Sequence, residues 1–97
     1  MNRFRKEIDY YLYNFAKLKT STKKEDIKWV KIISEIREKY EGTEYGRLIE
    51  LKWDQKLSEE KIKMLMHIEK TTLYAWMNKI INEITLKAAY QRLIKPY

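Results

Sequence analysis

The feature that most constrains this chain is an apolar helical repeat that stops at His67-Ile68-Glu69 and restarts from Lys70. Ile62, Leu65 and Met66 stand three and four residues apart and would share one helix face. Leu73, Met77, Ile80, Ile81 and Ile84 carry the repeat on after the interruption, with Trp76 at the edge of the stripe. A short helix, a tight turn and a longer helix account for this pattern. Ser58 precedes the first stripe and can cap that helix by accepting a backbone N–H of its first turn. Glu59 and Glu60 follow, placing negative charge at the positive end of the helix dipole. Residues 57–84 therefore have the outline of a helix-turn-helix.

The face of the second helix opposite its apolar stripe is polar. Lys70, Thr71, Thr72, Ala75, Asn78, Lys79 and Asn82 fall on it. In a helix-turn-helix, residues near the start of the second helix reach base edges in the major groove. Asparagine can pair with adenine there, and lysine can reach guanine acceptors or phosphate. The plainer reading is an ordinary solvated helix face. The short preceding helix and the break after it favour contact with double-stranded DNA.

The string KIKMLMHIEKTTLYAWMNKII resembles the terminal helix-turn-helix of bacterial sigma-factor region 4. It is closer to the small late-transcription activators of Gram-positive phages, the RinA/ArpU type. The matching residues are Ile62, Leu65, Ile68, Thr71, Thr72, Tyr74, Trp76, Lys79, Ile80 and Ile81. The likeness covers roughly residues 43–84. Such motifs usually carry a small residue where Lys63 stands, glycine where His67 stands, serine where Glu69 stands and often arginine where Ala75 stands. The resemblance implies a transcription regulator encoded by a phage or mobile element, with RNA polymerase or another phage regulator as a further partner.

The rest of the chain reads as helix as well. Two glycines and one proline in 97 residues are too few for the turns of a sheet. The expected fold is all-α: one small domain of about five helices, with a helical pair in residues 1–42 and the helix-turn-helix part in residues 43–97. Phe4, Ile8, Tyr11, Leu12, Phe15 and Leu18 predict a first helix over 2–19, with Tyr10 and Tyr13 as an aromatic edge that could meet a partner. Thr22 and Glu25 form a candidate capping box for a second helix over 23–40, which buries Trp29, Ile32, Ile33, Ile36 and Tyr40. Gly42 should end that helix, and Thr43 should cap a third over 44–53, with Tyr45, Leu48, Ile49 and Trp53 turned inward. Leu86, Ala89, Tyr90, Leu93 and Ile94 predict that the last helix continues to about residue 94, with Pro96 as its stop. A helix of that length spans roughly 36 Å. Its distal half needs a cover, either the first helix or a second copy in a homodimer.

Charge supports a polyanion as partner. The net charge of +7 divides into +5 over residues 1–24, −1 over 25–57 and +3 over 58–97. Arg3, Arg5, Lys6, Lys63, Lys87 and Arg92 are the candidate phosphate contacts. A hydrophobic share of 44% argues against disorder despite 36% charged residues. No run approaches the length of a membrane span and no signal-peptide core is present, so no membrane association and a cytoplasmic location are expected. The absence of cysteine excludes a disulfide frame and a thiolate metal site. His67 is the only histidine and has no second ligand near it in sequence; no metal, no cofactor and no enzymatic activity are expected. The expected function is sequence-specific DNA binding in transcription regulation. The alternative is a protein-interaction module that keeps the helix-turn-helix shape without reading DNA.

Overall fold

The seam between the third and sixth helices forms the centre of the structure, a computed structural model that describes residues 3–94. Among these residues six α-helices run in order: α1 (Arg5–Tyr13), α2 (Phe15–Leu18), α3 (Lys24–Tyr40), α4 (Glu44–Ile49), α5 (Glu59–Met66) and α6 (Lys70–Tyr90). A π-helical turn, Glu50–Asp54, extends α4. The described residues contain no strand, so the chain is an all-α domain. Trp29, Ile32, Ile33 and Ile36 of α3 and Leu73, Ile80, Ile81 and Ile84 of α6 belong to one core, and all are fully or almost fully buried. Leu48, Ile49 and Trp53 close this core from one side, Ile8 and Leu12 of α1 from another. No polar or charged residue is buried among the described residues, so apolar burial holds the helices together.

Local signals place most helix ends. Thr43 Oγ1 accepts from Gly46 N at 3.3 Å and Ser58 Oγ accepts from Lys61 N at 3.2 Å, as their positions before a helix predict. Gly42 takes the left-handed conformation, φ 77°, and Thr43 N donates to Tyr40 O to close α3. The capping box expected of Thr22 and Glu25 does not form. Lys23 is the N-cap of α3 without a side-chain bond, and Ser21 Oγ instead accepts from Lys23 N and donates to Asp26 Oδ2 at 2.7 Å.

Four other expectations are corrected. The single first helix is broken at Asn14, whose Nδ2 donates to Tyr10 O at 2.8 Å while its ψ opens to 15°. That kink turns Phe15 and Leu18 into the core. The third helix does not stay α to residue 53: Gln55 N reaches back five residues to Glu50 O at 2.8 Å. Trp53, on this turn, is fully inside as expected, and its indole N–H donates to Asp9 Oδ1 of α1 at 3.1 Å. In α5 only Ile62 is fully buried; Leu65 is 40% exposed, because this two-turn helix lies at the periphery against α6 and the π-turn.

The last helix ends at Tyr90 rather than near residue 94. Arg92 is left-handed at φ 58°, and Leu93 N donates to Ala88 O at 2.9 Å, so the chain doubles back and seats Ile94 on the core. The buried line of α6 runs through Ile80, Ile84 and Ala88, and this leaves the expected core residues Leu86 and Tyr90 at 63% and 88% exposure. Chiefly α3, with α1 beside it, covers the helix. Lys87 Nζ reaches Glu35 of α3 at 3.0 Å. The expected stop at Pro96 and the start at residue 2 lie outside the described residues.

Gly46 is where α4 meets the end of α3. A Cβ there would lie 2.3 Å from the carbonyl oxygen of Tyr40, which is backbone and cannot swing aside. Gly46→Ala should therefore destabilise the fold by about 1–3 kcal/mol, read as a lower urea midpoint. An unchanged midpoint would mean that α4 is free to slide.

Candidate nucleic-acid interface

The site is built on α5, a three-residue turn and α6. His67 is left-handed (φ 55°, ψ 46°), and Ile68 N donates across the reversal to Lys63 O at 3.1 Å. The turn therefore has the backbone form that glycine adopts without strain. Glu69 is the N-cap of α6 in an extended conformation and makes no side-chain cap bond. The first turn of α6 contains no acidic residue, so its N–H groups and positive dipole end face solvent with Lys70 and Thr71.

Burial of Leu73, Met77, Ile80 and Ile84 fixes the roll of α6. The opposite face carries Lys70, Thr71, Ala75, Asn78, Lys79 and Asn82, all exposed, with Thr72 half-buried at its margin. One helix thus brings the seven expected base-contact residues together over about 18 Å. The flanks hold them in place. Lys79 Nζ lies 5.0 Å from the ring centre of Tyr45, which packs between Tyr40 and Trp76 at 5.0 and 5.3 Å. Lys70 Nζ lies 5.5 Å from the ring centre of Tyr74. The Tyr74 hydroxyl donates to Glu59 Oε1 at 3.1 Å, and that bond raises its pKa above the ordinary tyrosine value. On the other flank Arg5 Nη1 of α1 donates to Asn78 Oδ1 at 2.9 Å.

The expected phosphate contacts do not form one group. Arg5 reaches the polar face itself; Arg3 and Lys6 are exposed, with the Arg3 guanidinium over the Phe4 ring. Lys63 pairs with Glu60 of its own helix at 3.0 Å. Lys87 is turned to Glu35 of α3, about 12 Å further along α6 than Lys79, and Arg92 lies beyond the helix end. Both stand apart from the first half of α6.

A brace between α3 and α6 has no counterpart in the sequence pattern. The Glu83 carboxylate accepts from the Tyr40 hydroxyl and from Lys39 Nζ, the latter at 2.9 Å. Burial pushes the Glu83 carboxyl up, but the Tyr40 and Lys39 hydrogen bonds outweigh it and hold its pKa below the ordinary carboxylate value. Forty-four residues separate Lys39 from Glu83, so no local pattern joins them; a lone acid on an otherwise basic helix face is the one available signal.

No family model, curated protein or solved structure matches the chain. Its function must therefore be read from the chemistry of the site itself. Among the described residues no cluster of His, Asp and Glu is placed to hold a metal ion, and no helix is long and apolar enough to cross a membrane.

Two substitutions test this geometry. His67→Gly removes the cost of a side chain in the left-handed turn, and the protein should gain about 1 kcal/mol in urea unfolding; a loss would show that the imidazole itself supports the turn. Glu83→Gln should cost about 1–2 kcal/mol at neutral pH. A carboxylate whose pKa is lowered by folding stabilises above its unfolded pKa, and that contribution disappears as pH falls through the folded value. Variant and wild type should therefore converge in acid. A gap of constant size from pH 7 to pH 3 would exclude the ionised carboxylate as its source.

Proposed function

We propose that the chain is a DNA-binding transcription regulator that places the first half of α6 in the major groove. The observation that carries this reading is the exposed face of Lys70, Thr71, Ala75, Asn78, Lys79 and Asn82 behind a tight left-handed turn. Its residue types suit a DNA groove, with amides and hydroxyls for base edges and ammonium groups for guanine or phosphate. The uncapped start of α6 offers backbone N–H groups to a phosphate oxygen. Arg3 and Lys6 add exposed positive charge to the N-terminal segment that carries Arg5. The likeness of residues 43–84 to phage late-transcription activators supports the regulatory role and a phage or mobile-element origin.

A second reading has its own support. Met64 and Leu65 on the outer surface of α5 are 69% and 40% exposed, and Tyr74, bonded to Glu59 at the start of that helix, is 36% exposed. An apolar outer surface on the first helix suits a protein partner, such as RNA polymerase or another regulator, better than a phosphate backbone.

Fluorescence-anisotropy titration of labelled duplexes at two salt concentrations separates the two readings. A regulator binds one fragment from its own genomic neighbourhood more tightly than random duplex, with affinity that falls as salt rises. Lys70→Ala and Lys79→Ala should each weaken binding to all sequences and reduce the salt slope by about one. A chain that binds no duplex at low salt is not a DNA-binding protein, and the apolar surface of α5 then becomes the place to look for a partner.

A further inference from the structure

The contact between α1 and α6 restricts what Asn78 can recognise. Arg5 Nη1 donates to Asn78 Oδ1 at 2.9 Å. A guanidinium has donors only, so the amide oxygen must turn towards α1 and the amide NH2 must turn outward. Arg5 is itself held in place. Its Nε lies 3.8 Å from Asp9 Oδ2 one turn along α1, and Asp9 Oδ1 accepts from the indole of Trp53, which is fully buried. A chain of contacts thus runs from the core through Asp9 and Arg5 to the exposed amide.

An asparagine that reads adenine uses both ends of its amide. The oxygen accepts from the adenine N6 amino group while the NH2 donates to N7. With its oxygen turned back to Arg5, Asn78 presents its NH2 outward as a donor, and the remaining N–H groups of Arg5 are donors too. The matching base edge carries two acceptors, and in the major groove that edge is guanine, with O6 and N7. Adenine would set its N6 amino group against one of these donors and leave both unsatisfied.

Building on the DNA-binding reading above, we propose that Arg5 and Asn78 act together as one two-residue reader of guanine. Arg5 is then a specificity residue contributed by α1, not only a phosphate contact, and Asp9 and Trp53 are the groups that position it. The fold brings the reader together from chain positions 73 residues apart.

Selection from a duplex library with a randomised core tests this, using the full chain and its variants Arg5→Met and Asn78→Ala. The wild type should enrich guanine at one position, and replacing that guanine by adenine should weaken binding about tenfold. Arg5→Met frees the amide oxygen, so the preference at that position should move to adenine while the other positions keep theirs. Asn78→Ala, at an exposed site that does not support the core, should lose part of the guanine preference without gaining adenine. Retention of the wild-type preference by either variant overturns the proposal. So does a loss by Arg5→Met that is equal across all sequences, which would make Arg5 a phosphate contact. A wild type that binds DNA but selects adenine at that position also overturns it, and leaves the DNA-binding reading standing. A wild type that binds no duplex removes the DNA-binding reading and the guanine reader with it.

Discussion

Apolar packing between α3 and α6 is the interaction on which the rest of the molecule depends. Ile32, Ile33 and Ile36 on one helix and Ile80, Ile81 and Ile84 on the other are all at most 1% exposed. Burying such a side chain contributes about 1.5–3 kcal/mol, so this seam outweighs every polar contact in the structure. It sets the rotation of α6 about its own axis. Once the isoleucine face points inward, Thr71, Ala75, Asn78, Lys79 and Asn82 can only point outward. The functional face is thus a by-product of core packing, and the polar flank contacts adjust it.

Those flank contacts divide between two jobs. The Tyr40–Glu83–Lys39 cluster fixes α6 against the end of α3 and, in doing so, occupies both oxygens of Glu83. The Trp53–Asp9–Arg5 chain fixes α1 against the middle of α6. The π-turn belongs to the second job. It carries Trp53, the buried anchor of that chain. An irregularity in α4 therefore reaches the exposed face of α6 through two side chains.

How much of this was legible in the sequence follows from the range of each interaction. Ser58, Thr43 and Gly42 act on backbone groups within three residues of themselves, and the helix ends they mark are where the sequence puts them. The six polar residues and Ala75 on α6 follow from its apolar period, and the structure places them opposite the buried stripe. Asn14 illustrates the limit: its side chain competes for the Tyr10 carbonyl, and the outcome turns on whether Phe15 and Leu18 gain more by turning inward. Leu86 and Tyr90 are apolar at a helical spacing, yet they lie off the line of Ile80, Ile84 and Ala88 that α3 selects. Arg5 reads as a basic residue in a basic segment, and nothing near it in sequence points to Asn78. The missed bonds of Glu83, Trp53 and Asn78 join partners 43 to 73 residues apart.

Charge pairing bears on the function in the same way. Lys87, Lys63 and Arg37 each stand against a carboxylate, so part of the +7 is neutralised inside the molecule. Lys70 and Lys79 lie instead over the rings of Tyr74 and Tyr45. A ring steers an ammonium without neutralising it, and at an exposed site the contact contributes about 0.5–1 kcal/mol, little to give up for a phosphate. Glu83 lies one turn after Lys79 and would pair with it on a bare helix. Its oxygens are taken by Tyr40 and Lys39. The brace that secures α6 therefore draws the Glu83 oxygens to α3, and Glu83 acts on Lys79 through space rather than by a direct ion pair.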